Sequence, residues 1–144
     1  MCDRFEDSTL NENELVEEMI HRFYQEQSAE NLMAVCLAVR QRMDQDGHLI
    51  FPADVNTDDE GNQVFSFKTL DFEGSPVLVA FTSVAEREKA PSSGAVSQFI
   101  DVMLDVLMQD EEVAGLMLNP WGESLFLGKE DIGLILSPGS ERFV

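Results

Sequence analysis

The sequence predicts an α/β fold of the α+β kind: a central mixed, largely antiparallel sheet of about five strands, flanked by helices. Three observations carry that prediction. Apolar residues recur at three- and four-residue spacing before residue 44 and again over residues 95–109, which is the helical period. The run Val77-Leu78-Val79-Ala80-Phe81 is continuously apolar and bounded by turn residues, so it reads as a central strand buried on both faces. Short apolar runs on either side of Pro120-Trp121-Gly122 read as a hairpin.

Residues 11–27 predict an amphipathic helix. Asn11 and Glu14 resemble a capping pair, and Leu15, Val16, Met19, Ile20 and Phe23 form one apolar stripe. A second helix runs from Ser28 to about Met43, with Leu32, Val35, Cys36, Val39 and Met43 inward. The boundary at Gln27-Ser28 leaves an αα-hairpin and one bent helix both open. After Asp46-Gly47 the period changes, and His48-Leu49-Ile50-Phe51 is a short strand closed by Pro52. Asp54 to Asn62 reads as a polar, acidic turn. Val64 to Phe72 follows as a strand whose alternation slips near Lys68-Thr69, the mark of a bulge or a strand end.

Gly74-Ser75-Pro76 turns the chain into the Val77–Phe81 strand, and Thr82 to Gly94 reads as mixed helical turn and loop. Residues 95–109 give the clearest helical pattern, with Val96, Phe99, Ile100, Met103, Leu104 and Leu107 on one face. Gly115–Asn119 and Ser124–Leu127 are the hairpin strands. A last helix, Lys129 to Leu136, stops at Pro138-Gly139 and packs Ile132, Ile135 and Leu136 onto the sheet.

The 144 residues suit one domain. Twenty-eight Asp and Glu face nine Lys and Arg, a formal net charge of −19. That field repels phosphate backbones and anionic lipid surfaces, so nucleic acid and membrane are not expected partners. It attracts a basic protein partner with a salt-dependent on-rate; the other reading is that the acidity serves solubility alone. Cys36 lies in an apolar stretch and Cys2 in a polar terminus, which is no disulfide framework and suits a reducing cytosol. The acidic first residues carry no apolar signal core, and no apolar run approaches the roughly 18 residues of a membrane helix. A cytoplasmic location is the expectation.

Tests for catalytic chemistry give no residue to assign. Asp54, Asn56 and Asp58 fall at the first, third and fifth positions of a calcium-type loop, but Asp59 and Phe65 stand where Gly and a bidentate Glu are needed. His21 and His48 have no Cys or His partner at zinc spacing. There is no G-x-S-x-G elbow and no phosphate-cradling glycine loop. The expectation is no catalytic residue, no metal, no cofactor and no enzyme. What stands out is Asn119-Pro120-Trp121-Gly122-Glu123, with the chain's single Trp in a turn. Exposed Trp is enriched at binding hot spots; alternatively Trp121 folds back over the hairpin as a lid on the core.

Two stretches together resemble the SseB N-terminal domain family. Pro76-Val77-Leu78-Val79-Ala80-Phe81-Thr82-Ser83 is similar to that family's strand ending in an F-T-S step. Gly115 through Leu127, with Asn119-Pro120-Trp121-Gly122 at its centre, is similar to its N-P-x-G hairpin. The resemblance runs from about Glu30 to Leu136. It implies a single α/β domain over residues 1–144, with residues 1–29 as a helical N-terminal extension. The family pattern offers no catalytic residue.

Three functions remain open on this reading. The first is a non-enzymatic protein-interaction module, docking through Asn119, Trp121, Glu123, Phe81 and Thr82; its special form is an immunity-type neutraliser of a basic toxin. The second is a small-molecule sensor or an enzyme with an unrecognised site, which needs a pocket of roughly 300–1,000 Å³. The third is a homodimeric scaffold paired through Leu15 and Met19.

Overall fold

Seven strands and five helices build residues 13–91 and 94–137, the part of the chain that the computed structural model describes. Cys2, the cap assigned to Asn11 and the stop at Pro138-Gly139 lie outside the described residues.

The N-terminal stripe forms α1 (Glu14–Gln25), which buries Val16 and Ile20. The chain breaks through extended backbone at Glu26 and Ser28 into α2 (Ala29–Asp44), where the Ser28 hydroxyl accepts from the Asn31 amide at 3.1 Å. Asn13 at the start of α1 lies 2.8 Å from the Arg42 guanidinium near the end of α2, so the two helices form an antiparallel hairpin. α1 buries its stripe in the same core as the sheets.

The strands are β1 (His48–Thr57), β2 (Gln63–Phe67), β3 (Thr69–Phe72), β4 (Ser75–Ala80), β5 (Ala95–Phe99), β6 (Gly115–Leu118) and β7 (Leu125–Gly128). They make two sheets rather than one of about five strands: three strands in the order β2-β1-β5 and four in the order β3-β4-β6-β7. β4 and β6 run parallel, and the other neighbours are antiparallel. Among the described residues the sheets join at a single bridge: the Ile50 amide donates to the Phe81 carbonyl at 3.0 Å, and the Phe81 amide donates back at 2.7 Å. The predicted class therefore holds, with a divided sheet.

The division corrects two sequence expectations and decides a third between its two alternatives. Pro52 does not end β1, which continues to Thr57. Pro52 stays in the ladder opposite Ala95 of β5, and its carbonyl accepts from the Lys68 amide at 2.9 Å, so the strand runs through it. The acidic turn is accordingly shorter: Asp54 to Thr57 are strand, and Asp58 to Asn62 make the reversal, with the Asp58 carboxylate accepting from the Glu60 and Asn62 amides. The slip at Lys68 is a strand end, since β2 pairs with β1 while β3 pairs with β4.

A further correction concerns residues 95–99. Val96 and Phe99 fit a helical stripe by spacing, yet Ala95–Phe99 is β5, laddered to His48–Pro52. The helix is only α4 (Ile100–Gln109), which buries Ile100, Met103, Leu104 and Leu107. Between β4 and β5 lies the short α3 (Val84–Glu88), capped by the Ser83 hydroxyl. The terminal helix, α5 (Lys129–Leu136), spans the predicted residues and buries Ile132 and Ile135.

α1, α2, α4 and α5 pack Ile20, Val35, Leu104 and Ile132 against Phe51, Leu78, Leu116, Leu118 and Leu127 of the strands. Burying each such side chain contributes about 1.5–3 kcal/mol before chain entropy is charged against it. Ile50, Val79 and Phe81 face the other way in a smaller cluster with Leu70, Ala90 and Ala95. Val77–Phe81 is thus buried on both faces, as its unbroken apolar run predicts. No helix among the described residues is long and apolar enough to cross a membrane.

Candidate partner-binding face

Parallel pairing of β4 with β6 sets the two strands' C-terminal ends side by side. The chain leaves β4 as Phe81-Thr82-Ser83 and leaves β6 as Asn119-Pro120-Trp121-Gly122, so the two segments singled out in the sequence meet in space.

Asn119 holds the junction. Its backbone sits in the left-handed region (φ 50°), which Asn tolerates better than most residues. Its side chain accepts from the Thr82 amide and donates to the Thr82 hydroxyl, both at 3.0 Å, while its own amide donates to Ala80 at 2.9 Å. The Thr82 hydroxyl in turn donates to the Glu17 carboxylate of α1. Gly122 then donates to the Asn119 carbonyl at 3.0 Å and closes the turn.

A second buried residue, Asn13, ties this junction to the helices. It donates to the carbonyls of His48 (2.9 Å) and Thr82 (3.0 Å) and accepts from Arg42 Nε at 2.8 Å. Arg42, 3% exposed, donates onward to Gln45 at 2.8 Å. A buried cation is tolerable only with its donors engaged, which these acceptors supply.

The resulting platform presents a small surface. Trp121 keeps 42% of its area exposed while its ring centroid lies 6.3 Å from that of Phe81, so the ring is neither wholly a lid nor wholly free. Beside it, Glu123 meets His21 Nδ1 at 2.8 Å, and the Tyr24 and Ser124 hydroxyls lie 3.1 Å apart. Under the turn, a side chain at Gly122 would place its Cβ 2.3 Å from Glu86 Oε1. Lys89 bonds Glu86 at 2.7 Å; that bond raises the Lys89 pKa, and the carboxylates of Glu17 and Glu123 add to the effect. The face is an exposed aromatic with Glu86 and Glu123 beside it, each meeting a basic side chain, Lys89 and His21.

Of the five residues selected from sequence, Trp121 and Glu123 reach the surface. Phe81, Thr82 and Asn119 are buried and act beneath it as supports. Sequence reasoning missed Asn13, Glu17, Arg42 and Tyr24. The only signal for Asn13 was a polar residue just ahead of the first apolar stripe, which is equally the signal for a helix cap; here its side chain makes no cap bond.

Cys36 is a buried free thiol whose pKa is pushed up to about 11, first by burial and then by the Asp131 charge, which leaves it protonated and unreactive near neutrality. Asp54 and Asn56 lie along β1, apart from the Asp58 turn. A pocket of about 220 Å³ opens beside Phe67, Thr69, Met103 and Val106, below the size of a drug-like ligand site. In comparisons with family models, with curated proteins and with solved structures, no match was found.

Proposed function

We propose that this chain is a non-enzymatic protein-docking module of the SseB N-terminal type that works in the cytoplasm and takes a basic partner on its Trp121 face. The observation that carries the reading is the pre-set exposure of Trp121. An aromatic side chain held at the surface by a turn with a buried polar anchor has little ordering entropy left to lose on binding. The carboxylates around it and the net charge of −19 favour a positively charged partner and speed its approach. A neutralised basic toxin is one member of that partner class. The family assignment is supported by the α+β architecture and by the contact between the two segments that carry the resemblance. The buried free Cys36 suits a reducing compartment.

Affinity purification of the tagged chain from its own cells, at low and high salt, tests this. A basic protein should co-elute at low salt and be lost at high salt. Trp121→Ala should cost about 2 kcal/mol or more, roughly a thirtyfold weaker Kd, with an unchanged melting curve. Capture indifferent to both salt and Trp121→Ala would sink the reading.

A further inference from the structure

The divided sheet leaves a second site, on a surface apart from the Trp121 turn. From their bridge at Ile50 and Phe81, β1 and β4 diverge. The 63–72 segment runs into the resulting wedge along β1 as β2, turns at Lys68, and runs out again along β4 as β3. At the apex Ala53 is paired with Phe67 and Leu78 with Thr69. Among the described residues, β2 pairs with no strand but β1, and β3 with none but β4, so two sheet edges face each other across the wedge.

Among the described residues the edge of β2 is chemically open. The Lys68 amide donates to Pro52 and the Asp58 amide to the Asn62 carbonyl, so the even-numbered positions of this arm bond towards β1. Alternation in an antiparallel ladder then turns the amides and carbonyls of Gln63, Phe65 and Phe67 into the gap. β2 reads Gln-Val-Phe-Ser-Phe, without charge or Pro, so it lacks the usual guards of an edge strand. On the helix side, the apex opens onto the 220 Å³ pocket lined by Phe67, Thr69, Leu78, Met103, Val106 and Leu107. Val55 and Phe65, paired across β1 and β2, continue that apolar face outward and are 48% and 39% exposed.

We propose that this wedge binds an extended segment of a partner protein in which apolar residues alternate with Lys or Arg. Backbone pairing with β2 would supply affinity, and the apex pocket would take an apolar side chain. Charge selects the occupant. Asp58, Asp59 and Glu60 crown one arm, Asp71 and Glu73 the other, and Asp110, Glu111 and Glu112 end the helix at the pocket. Lys68 at the apex is paired with Asp54 at 3.6 Å. A second copy of this chain, or its own acidic residues 1–12, would bring carboxylates against carboxylates.

The test uses the full chain, ¹⁵N-labelled, titrated with an acetylated peptide of alternating valine and lysine and, in parallel, with its valine–glutamate counterpart. Shifts in β2, β3 and α4 and new exchange protection of the Gln63 and Phe65 amides are expected with the lysine peptide alone, fading at high salt. Val106→Lys, at a half-exposed position, should weaken binding by roughly tenfold, and Trp121→Ala should leave it unchanged. Equal binding of the glutamate peptide, shifts confined to the Trp121 turn, or no shifts at millimolar peptide would overturn the proposal. So would Gln63 and Phe65 amides already protected without peptide: with a doubled mass by light scattering they are covered by a second copy, and with a monomer mass by the chain's own terminus.

Discussion

Asn119 concentrates two costs in one side chain. It occupies a left-handed backbone position and satisfies the buried amide and hydroxyl of Thr82. Asn119→Ala should lower unfolding free energy by about 2–4 kcal/mol, because it keeps a β-carbon at φ 50° without the side-chain amide that suits Asn to that region, and it strands the Thr82 amide. Asn119→Gly relieves the backbone and should recover about 1 kcal/mol of that loss in urea titrations. Equal losses in the two variants would mean that the backbone is unstrained there. In the sequence Asn119 was visible as part of a turn and as a candidate docking residue, not as a buried support. Its bonds to Thr82 connect residues 37 apart, and local pattern holds no record of such a partner.

At the scale of elements, the helices were legible because their apolar stripes repeat over several turns. α1, α2 and α5 follow directly from such stripes. β5 was not legible. Val96, Phe99, Ile100 and Met103 keep helical spacing across the junction, and no Gly or Pro separates Phe99 from Ile100. The choice is made by β1, whose His48–Pro52 edge takes residues 95–99 as a partner. Likewise the slip at Lys68 showed in the alternation, while the fact that it sends the chain from one sheet to the other did not. The β6–β7 hairpin was read correctly, and its tight packing has a measurable cost. A β-carbon at Gly115 would lie 2.3 Å from the Leu127 carbonyl and 2.8 Å from the Phe126 ring. Gly115→Ala should therefore cost about 1–3 kcal/mol, read as a lower urea midpoint with an unchanged slope.

Across the whole molecule the dominant quantity is charge. With a formal net charge of −19 on 144 residues, the folded chain works against its own repulsion, and counterions relieve it over a screening length of about 10 Å at 0.1 M salt. Raising sodium chloride from about 0.01 to 0.15 M, a range over which the Debye length falls from about 30 to 8 Å, should raise the melting temperature. It should at the same time slow association with any basic partner. A melting temperature indifferent to salt would show that the carboxylates are too dispersed to repel one another. Net charge was plain in the sequence; its grouping around Trp121 and along the wedge required the topology.

The Trp121 face also has a timetable. His21 and Glu123, which meet at its rim, stand 102 residues apart, and the Thr82–Asn119 junction beneath it joins β4 to a strand that the chain supplies only after α4. During synthesis neither contact exists until β6 and its turn have left the ribosome. A growing chain, or one cut short before residue 119, has the sequence of the helical hairpin and much of the acidic charge but lacks the Trp121 turn. Docking through this face would thus certify a finished molecule, and incomplete chains would pass the partner by.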